Sequence, residues 1–322
     1  MTVEEARQKC SSFRPQRKGN KISCAFLDGE LCTLPDQFLC ILKKREELKK
    51  RMTITYSSLS SFHFCPRSYF FAYIKKIQPK EISLPILTGL WGHYRLADIY
   101  RKEQENDDHR RPSQPLSDTT SVFLDELLNQ YSKLYAEEIA NYQKQSEVCV
   151  EREFSIPFGQ NYELAGIYDL YDKPSKTICD HKFKRELTTE KIEVENQAST
   201  YFLAIPQAER FCINMLCTSL KIRKNEGIKN YRKRINDLAE SKPGLFFQRV
   251  YFYRSEFDLK RFMKKIEYTV ERILSANFRL ENNFSFHCRF CPFISICRTG
   301  SIGNEFEKRR GEFGGDKIYI GG

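Results

Sequence analysis

Cys65 stands alone in Phe64-Cys65-Pro66-Arg67, and three more cysteines follow far downstream as Cys288-x2-Cys291-x5-Cys297. Four thiolates at such spacing suit one centre, either tetrahedral zinc or a 4Fe–4S cluster, and the spacing alone does not separate the two. If all four bind together, segments from the two ends of the chain must meet. Ligand bonds closing so long a loop would contribute substantial folding free energy. Pro66 and Pro292, each beside a cysteine, suit a ligand knuckle better than four unrelated buried thiols. The chain has 12 cysteines in all. Cys10, Cys24, Cys32 and Cys40 are too widely spaced for an obvious zinc site. Cys149, Cys179, Cys212 and Cys217 lie in apolar strand patterns and read as core.

Length and charge narrow the rest. The chain has 322 residues, enough for one large domain or two modest ones, and a formal net charge of +11. A basic balance favours a polyanionic partner, nucleic acid first and an anionic membrane second. No apolar run reaches the roughly 18 residues that a membrane helix needs. Residues 1–18 are polar and lack the apolar stretch of a secretory signal. These features place the chain in the reducing cytoplasm, where cysteines serve as thiols or ligands rather than disulfides.

Three segments are expected: an N-terminal extension over 1–51, a main domain over 52–300 and a polar tail over 301–322. The main domain starts with helical spacing from Ser57 or Ser58, which can cap, through Ile74. A second helix over 88–100 carries His93. Residues 102–120 are charged and rich in Pro and Ser, a surface loop, and 122–142 returns to helical spacing. The period then changes to two: Val148, Val150, Arg152, Phe154 and Ile156 share one face of a strand, and Cys149, Glu151, Glu153 and Ser155 the other. Strands follow over 162–171 and 176–183, then a helix over 195–205 stopped by Pro206, a strand over 211–220, another over 246–253, and a helix opened by Ser255 and Asp258. The order predicts an α/β (α+β) domain with a mixed central sheet.

Asp169 closes one of these strands, and the next bears Asp180-His181-Lys182. Asp180 and Lys182 are two apart and face one side. Asp169, across a hairpin, can reach that side. Two carboxylates beside an ammonium suit phosphodiester hydrolysis: the carboxylates hold Mg²⁺ or Mn²⁺, the metal activates water, and Lys182 stabilises developing charge.

Gly166-Ile167-Tyr168-Asp169 followed by Asp180-His181-Lys182 resembles the motif of the PD-(D/E)XK nuclease superfamily, in its RecB-like branch. The superfamily's proline before the first aspartate is replaced here by Tyr168. The resemblance implies a restriction-endonuclease-like fold with His93 in Gly92-His93-Tyr94 as a metal ligand beside Asp169 and Asp180. It implies that Gln197 and Tyr201, the Gln-x-x-x-Tyr pair, face the DNA backbone or the active site, and that Glu151 is an additional acidic position. His181 reads as a filler between Asp180 and Lys182. The split cysteines are similar to those of the iron–sulfur subset, which includes AddB-type nucleases and CRISPR-associated adaptation exonucleases. That likeness implies a structural 4Fe–4S cluster on Cys65, Cys288, Cys291 and Cys297, clasping the N-terminal helices to the C-terminus.

Lys221, Arg223, Lys224, Arg232, Lys233 and Arg234 surround Tyr231. The cations would neutralise phosphates and the ring could stack on an unpaired base. The resulting expectation is a metal-dependent DNA exonuclease acting on single-stranded or frayed ends. By resemblance its polarity is 5′ to 3′, and its setting is DNA repair, recombination, phage DNA processing or CRISPR adaptation. The chain has no Gly-x-x-x-x-Gly-Lys-Ser/Thr loop, so ATP-driven unwinding would need a helicase partner. The alternative is a non-catalytic module that binds DNA ends and keeps an iron–sulfur or zinc site as scaffold.

Overall fold

The computed structural model describes residues 15–18, 21–24, 52–101, 111–144, 147–159, 162–188, 196–278, 281 and 285–308. The expectations for most of 1–51, for 102–110 and for most of the tail lie outside the described residues. The chain divides into two interleaved units. The first takes in residues 1–80, 156–164 and 264–319; the second takes in 81–155, 165–263 and 320–322.

In chain order the described elements begin with the hairpin β1 (Pro15–Lys18) and β2 (Lys21–Cys24), then β3 (Met52–Ile54). Helix α1 (Tyr56–Phe64) is capped by Thr55 rather than by Ser57 or Ser58. The Ser58 N–H donates to Thr55 Oγ1 at 3.0 Å, and the Thr55 N–H donates to Ser58 Oγ at 3.0 Å. The expected single helix breaks at Cys65, which is extended (φ −161°, ψ 117°). Pro66 explains the break, because proline disfavours helical backbone in the residue before it. Helix α2 (Pro66–Tyr69) then runs into a π turn over Phe70–Ile74, and β4 (Ile77–Pro79) follows.

Next come α3 (Leu84–Tyr100), α4 (Asp118–Leu134), α5 (Ala136–Lys144), β5 (Val148–Phe158), β6 (Tyr162–Asp172), β7 (Thr177–Lys184), α6 (Asn196–Ala204), β8 (Arg210–Cys217), α7 (Ile228–Ser241), β9 (Phe247–Phe252) and α8 (Glu256–Ser275). Short 3₁₀ turns occupy Pro243–Leu245 and Phe286–Phe290. Helix α9 (Ile294–Thr299) and β10 (Phe306–Lys308) end the described chain. The single helix expected over 122–142 is two helices, α4 and α5, parted at Tyr135 (φ −111°, ψ 26°). The Ser255–Asp258 start of α8 is present: the Asp258 N–H donates to Ser255 Oγ at 3.2 Å.

The sheet is mixed, as expected. In the second unit β6 pairs antiparallel with β7, β7 parallel with β8 through the α6 crossover, and β8 antiparallel with β9. Two apolar clusters cover its faces. One joins Cys179, Cys212 and Leu216 to Leu96 of α3, Leu124 and Tyr131 of α4, and Ile235 of α7. The other joins Ile178, Phe211, Ile213 and Met215 to Ala198, Tyr201 and Phe202 of α6. In the first unit β3 pairs in parallel with residues 162–164 of β6, and β4 pairs antiparallel with β10. Among the described residues no helix is long and apolar enough to cross a membrane.

Candidate active site

Alternation along β7 puts Ile178, Asp180 and Lys182 on one face, the face covered by α6. Lys182 Nζ lies 2.9 Å from Asp180 Oδ2 and donates to Gln197 Oε1 at 2.7 Å. Gln197 Nε2 donates to Asp180 Oδ1 at 3.0 Å and to the Tyr201 hydroxyl at 2.9 Å, and that hydroxyl donates to the Ile167 carbonyl at 2.8 Å. Gln197 and Tyr201 are four apart on α6 and so share a face. That face points at the carboxylates.

Asp169 sits where the β6–β7 ladder stops. The rungs run from Asp172↔Thr177 to Leu170↔Cys179. Just beyond them the Asp169 carboxylate accepts the His181 backbone N–H at 2.6 Å. Its Oδ2 is also 3.3 Å from His93 Nδ1. His93 can reach it because α3 lies close against β7: a Cβ on Gly92 would stand 2.4 Å from the Phe183 ring.

Glu151 reaches the same place by a break in its strand. Its φ is +49°, in the left-handed region, which costs a non-glycine residue about 1–3 kcal/mol. The break shifts the phase of β5. Val148 and Val150 pack on the cluster against α3 and α4, but Phe154 packs with Cys149 on the opposite cluster. The expectation that Phe154 shares a face with Val148 and Val150 is thereby corrected. One ligand atom each from His93, Glu151 and Asp169 lies within 4.8 Å of the others. Asp180, expected as the third ligand, is not in that trio; its oxygens are engaged by Lys182 and Gln197.

Charge in the site favours a cation. Burial pulls the His93 imidazole down, yet Asp169, Glu151 and Asp180 together push it up to about 9. Burial raises Asp169, but His93 and the His181 N–H hold it well below the ordinary carboxylate range. Burial lifts Asp180 to about 6, with Lys182 opposing and Asp169 adding. A site that holds an imidazolium at neutral pH can exchange that proton for a metal. One imidazole nitrogen and two carboxylates suit Mg²⁺ or Mn²⁺.

His181 is more than a filler. Its ring is buried and stacks on Tyr100, with centroids 5.6 Å apart and planes 7° apart. Asn214 Nδ2 lies 2.9 Å from His181 Nδ1 and, as a donor, makes that nitrogen the acceptor. Burial holds the imidazole down at about 3, so it stays neutral. Asn214 also donates to the Tyr131 hydroxyl at 2.8 Å, which takes a further bond from Arg249 at 2.7 Å. Arg249 in turn donates to Glu138 at 2.6 and 2.8 Å. Sequence reasoning missed this lattice. Its signal was Asn214 within the apolar run 211–217, since buried polar groups need partners.

The sequence profile of the PD-(D/E)XK nuclease superfamily matches residues 53–298. The chain belongs to this superfamily. No match is found among curated proteins. Three crystal structures are similar to the nuclease. SSO0001 is 14% identical over 81% of this chain and 96% of its own, with a TM-score of 0.38. A candidate exonuclease from Eubacterium rectale is 12% identical over 84% and 95%, with a TM-score of 0.47. A phage-related exonuclease from Haemophilus somnus 129PT is 16% identical over 69% and 93%, with a TM-score of 0.34.

All four cysteines picked out by spacing lie in the nuclease's first unit. Cys65 sits in the extended step between α1 and α2. Cys288 and Cys291 flank the end of a 3₁₀ turn, where the Cys291 N–H donates to the Cys288 carbonyl at 3.3 Å; Cys297 lies on α9. Among the described residues, the thiols do not form a group of three or more ligand atoms within 4.8 Å of one another, as His93, Glu151 and Asp169 do. Burial raises Cys291, with Cys297 and Cys65 adding, and burial raises Cys297, with Arg67 opposing and Cys65 and Cys288 adding.

The basic segment departs from expectation. Tyr231 is buried on α7, and its hydroxyl donates to the Leu220 carbonyl at 2.7 Å, so its ring cannot stack on a base. Arg234 lies over that ring and holds Glu226 through bonds of 2.8 and 2.6 Å. This pairing pushes the Glu226 carboxyl down to about 2. Arg232 pairs with Glu126 at 3.1 Å and Lys233 with Asp237 at 2.7 Å. Lys221, Arg223, Lys224, Arg232 and Lys233 are exposed.

Proposed function

We propose that this nuclease is a metal-dependent DNA exonuclease acting on single-stranded or frayed ends. The observation that carries the reading is the meeting of His93, Glu151 and Asp169 beside the Lys182–Asp180–Gln197–Tyr201 set. His93, Glu151 and Asp169 would hold Mg²⁺ or Mn²⁺, with Asp180 next to them. Such an ion, when bound, would supply a water of lowered pKa and neutralise phosphate charge. Lys182 is pinned by Asp180 and Gln197 so that its ammonium meets the charge that develops on phosphate oxygen. Tyr201, anchored to the Ile167 carbonyl, fixes Gln197. The exonuclease mode, the 5′-to-3′ polarity and a setting in repair, recombination, phage DNA processing or CRISPR adaptation rest on the RecB-like resemblance. Cys65, Cys288, Cys291 and Cys297 would carry a structural 4Fe–4S cluster, with Arg67 offsetting thiolate charge. A helicase or adaptation partner would supply any unwinding.

The test is digestion of end-labelled single-stranded DNA with Mg²⁺ or Mn²⁺, by wild type and by Lys182→Ala. Wild-type degradation from the labelled end, slowed by about 10²- to 10³-fold in the variant, is expected. A folded wild type that leaves the DNA intact would overturn the reading. Anaerobic purification should give a brown protein; a colourless one holding zinc would replace the iron–sulfur assignment.

A further inference from the structure

The first unit presents aromatic rings to water beside the cysteines. Phe64 is 41% exposed, Phe286 63% and Phe290 73%. They are contiguous. The Phe64 and His287 centroids are 5.2 Å apart, Phe286 lies 6.2 Å from His287 and 5.5 Å from Phe290. Local geometry explains the array. Ser285 caps the 3₁₀ turn Phe286–Phe290, and residues three apart in such a turn eclipse one another. Arg289 accordingly lies over the Phe286 ring, 5.3 Å from its centroid. Aromatics can be buried nearby, because Phe293 is 3% exposed. The outward rings of Phe286 and Phe290 are therefore a feature of this turn, and Phe64 joins them from the end of α1.

Cations stand beside exposed rings, although Glu267 and Glu271 are exposed next to Tyr268 and Arg272 on α8. The turn carries Arg289 and no carboxylate. On α8, Arg272 lies 5.9 Å from the Tyr268 ring, which is 61% exposed. Arg272 also lies over the Phe62 ring on α1, 5.3 Å from its centroid. Exposed π-faces edged by cations match a flexible polyanion whose flat faces are open. Unpaired nucleobases on a phosphate backbone meet that description; a closed duplex hides its base faces.

We propose that Phe64, Phe286, His287 and Phe290 form a stacking platform for the unpaired bases of single-stranded DNA, with Arg289 attracting the strand. The proposal deepens the exonuclease reading and rests on it. It requires sequence-tolerant binding, since every base offers a face.

The test uses the full chain in EDTA, so that binding is read without hydrolysis. The probes are fluorescent oligothymidylate and an oligonucleotide of equal length and charge with abasic sites. The wild type should bind the thymidylate strand at least tenfold more tightly than the abasic one. Phe286→Ala and Phe290→Ala should each weaken thymidylate binding by about tenfold and leave abasic binding unchanged. Phe290→Trp should preserve binding, and unchanged thermal unfolding would show that the alanine variants are folded. Equal wild-type affinity for both probes, or no loss in the folded double alanine variant, would overturn the platform. Cleavage in Mn²⁺ separates the two readings. A platform that binds without cleavage would sink the exonuclease reading alone, and cleavage with unaltered binding would sink the platform alone.

Discussion

The carboxylate site and the cysteine knuckle are built on opposite plans. The carboxylate site rests on long strands between two apolar clusters, and its polar groups engage one another: Asp169 with His93 and the His181 N–H, Asp180 with Lys182 and Gln197. The knuckle rests on a short 3₁₀ turn, a six-residue helix and a small cluster of Phe71, Ala72, Ile77, Phe293, Ile296 and Phe306. One region is organised before any ligand arrives. The other sets four half-buried thiols beside few buried apolar residues. On the proposed assignments, a divalent metal would act on chemistry at the carboxylates and a thiolate-bound centre on folding at the knuckle.

The largest effect should therefore come from the knuckle. Cys65→Ser combined with Cys291→Ser removes two of the four proposed ligands. The expected loss is on the order of 10 kcal/mol of folding free energy in the first unit, the scale of structural thiolate sites. Limited proteolysis should cut the first unit while amides of β7 and β8 keep their hydrogen-exchange protection. A doubly substituted protein as protease-resistant as wild type would remove the contrast.

Lys182→Ala is next, and it should reverse the pattern: little change in unfolding temperature, with cleavage slowed by about 10²- to 10³-fold. Asp180 would keep Gln197 as its partner. A loss of both stability and cleavage would mean that the site needs its lysine to fold, and the contrast would weaken.

Gly92→Ala attacks the packing that delivers His93. The new methyl would meet the Phe183 ring at 2.4–2.6 Å, so one of them must move. Overpacking of this kind costs about 1–3 kcal/mol. Chemical denaturation should show that cost together with weaker Mn²⁺ binding. Unchanged Mn²⁺ affinity would show that His93 does not depend on the close approach.

These effects separate what the sequence disclosed from what it concealed. Asp180 and Lys182 were legible as a pair because a strand repeats every two residues. Gln197 and Tyr201 entered by resemblance, and only their shared helix face follows from the spacing. Those periods hold whatever the tertiary structure. The joining of Cys65 to the late cysteines is a proposal drawn from spacing and resemblance. Tyr231 was misread because dense charge masked an apolar stripe: Tyr231, Ile235 and Ala239 are buried on α7 at helical spacing. The Asn214–His181 lattice was concealed because hydrogen bonds between distant strands leave no periodic mark. Glu151 was placed on the list by resemblance, but the backbone that turns it toward His93 breaks the very alternation used to read its strand.

The smallest effect concerns that backbone, and it needs a paired comparison. Replacing Glu151 removes a carboxylate close to His93 and Asp169, so the stability of any single variant mixes charge with conformation. Glu151→Ala and Glu151→Gly lose the same carboxylate and differ chiefly in their tolerance of φ +49°. Glycine should be the more stable of the two by about 1 kcal/mol, because the alanine Cβ retains most of the left-handed penalty. Both should lose Mn²⁺ affinity alike if the carboxylate is a ligand. Thermal unfolding of the pair reads the first difference and Mn²⁺ titration the second. Equal stabilities would mean that the strand relaxes once the carboxylate is gone, so that the carboxylate's contacts, not the fold, hold the turn. Glycine above alanine, with affinity lost in both, would mean that the strained turn belongs to the scaffold and keeps the carboxylate in place for the metal.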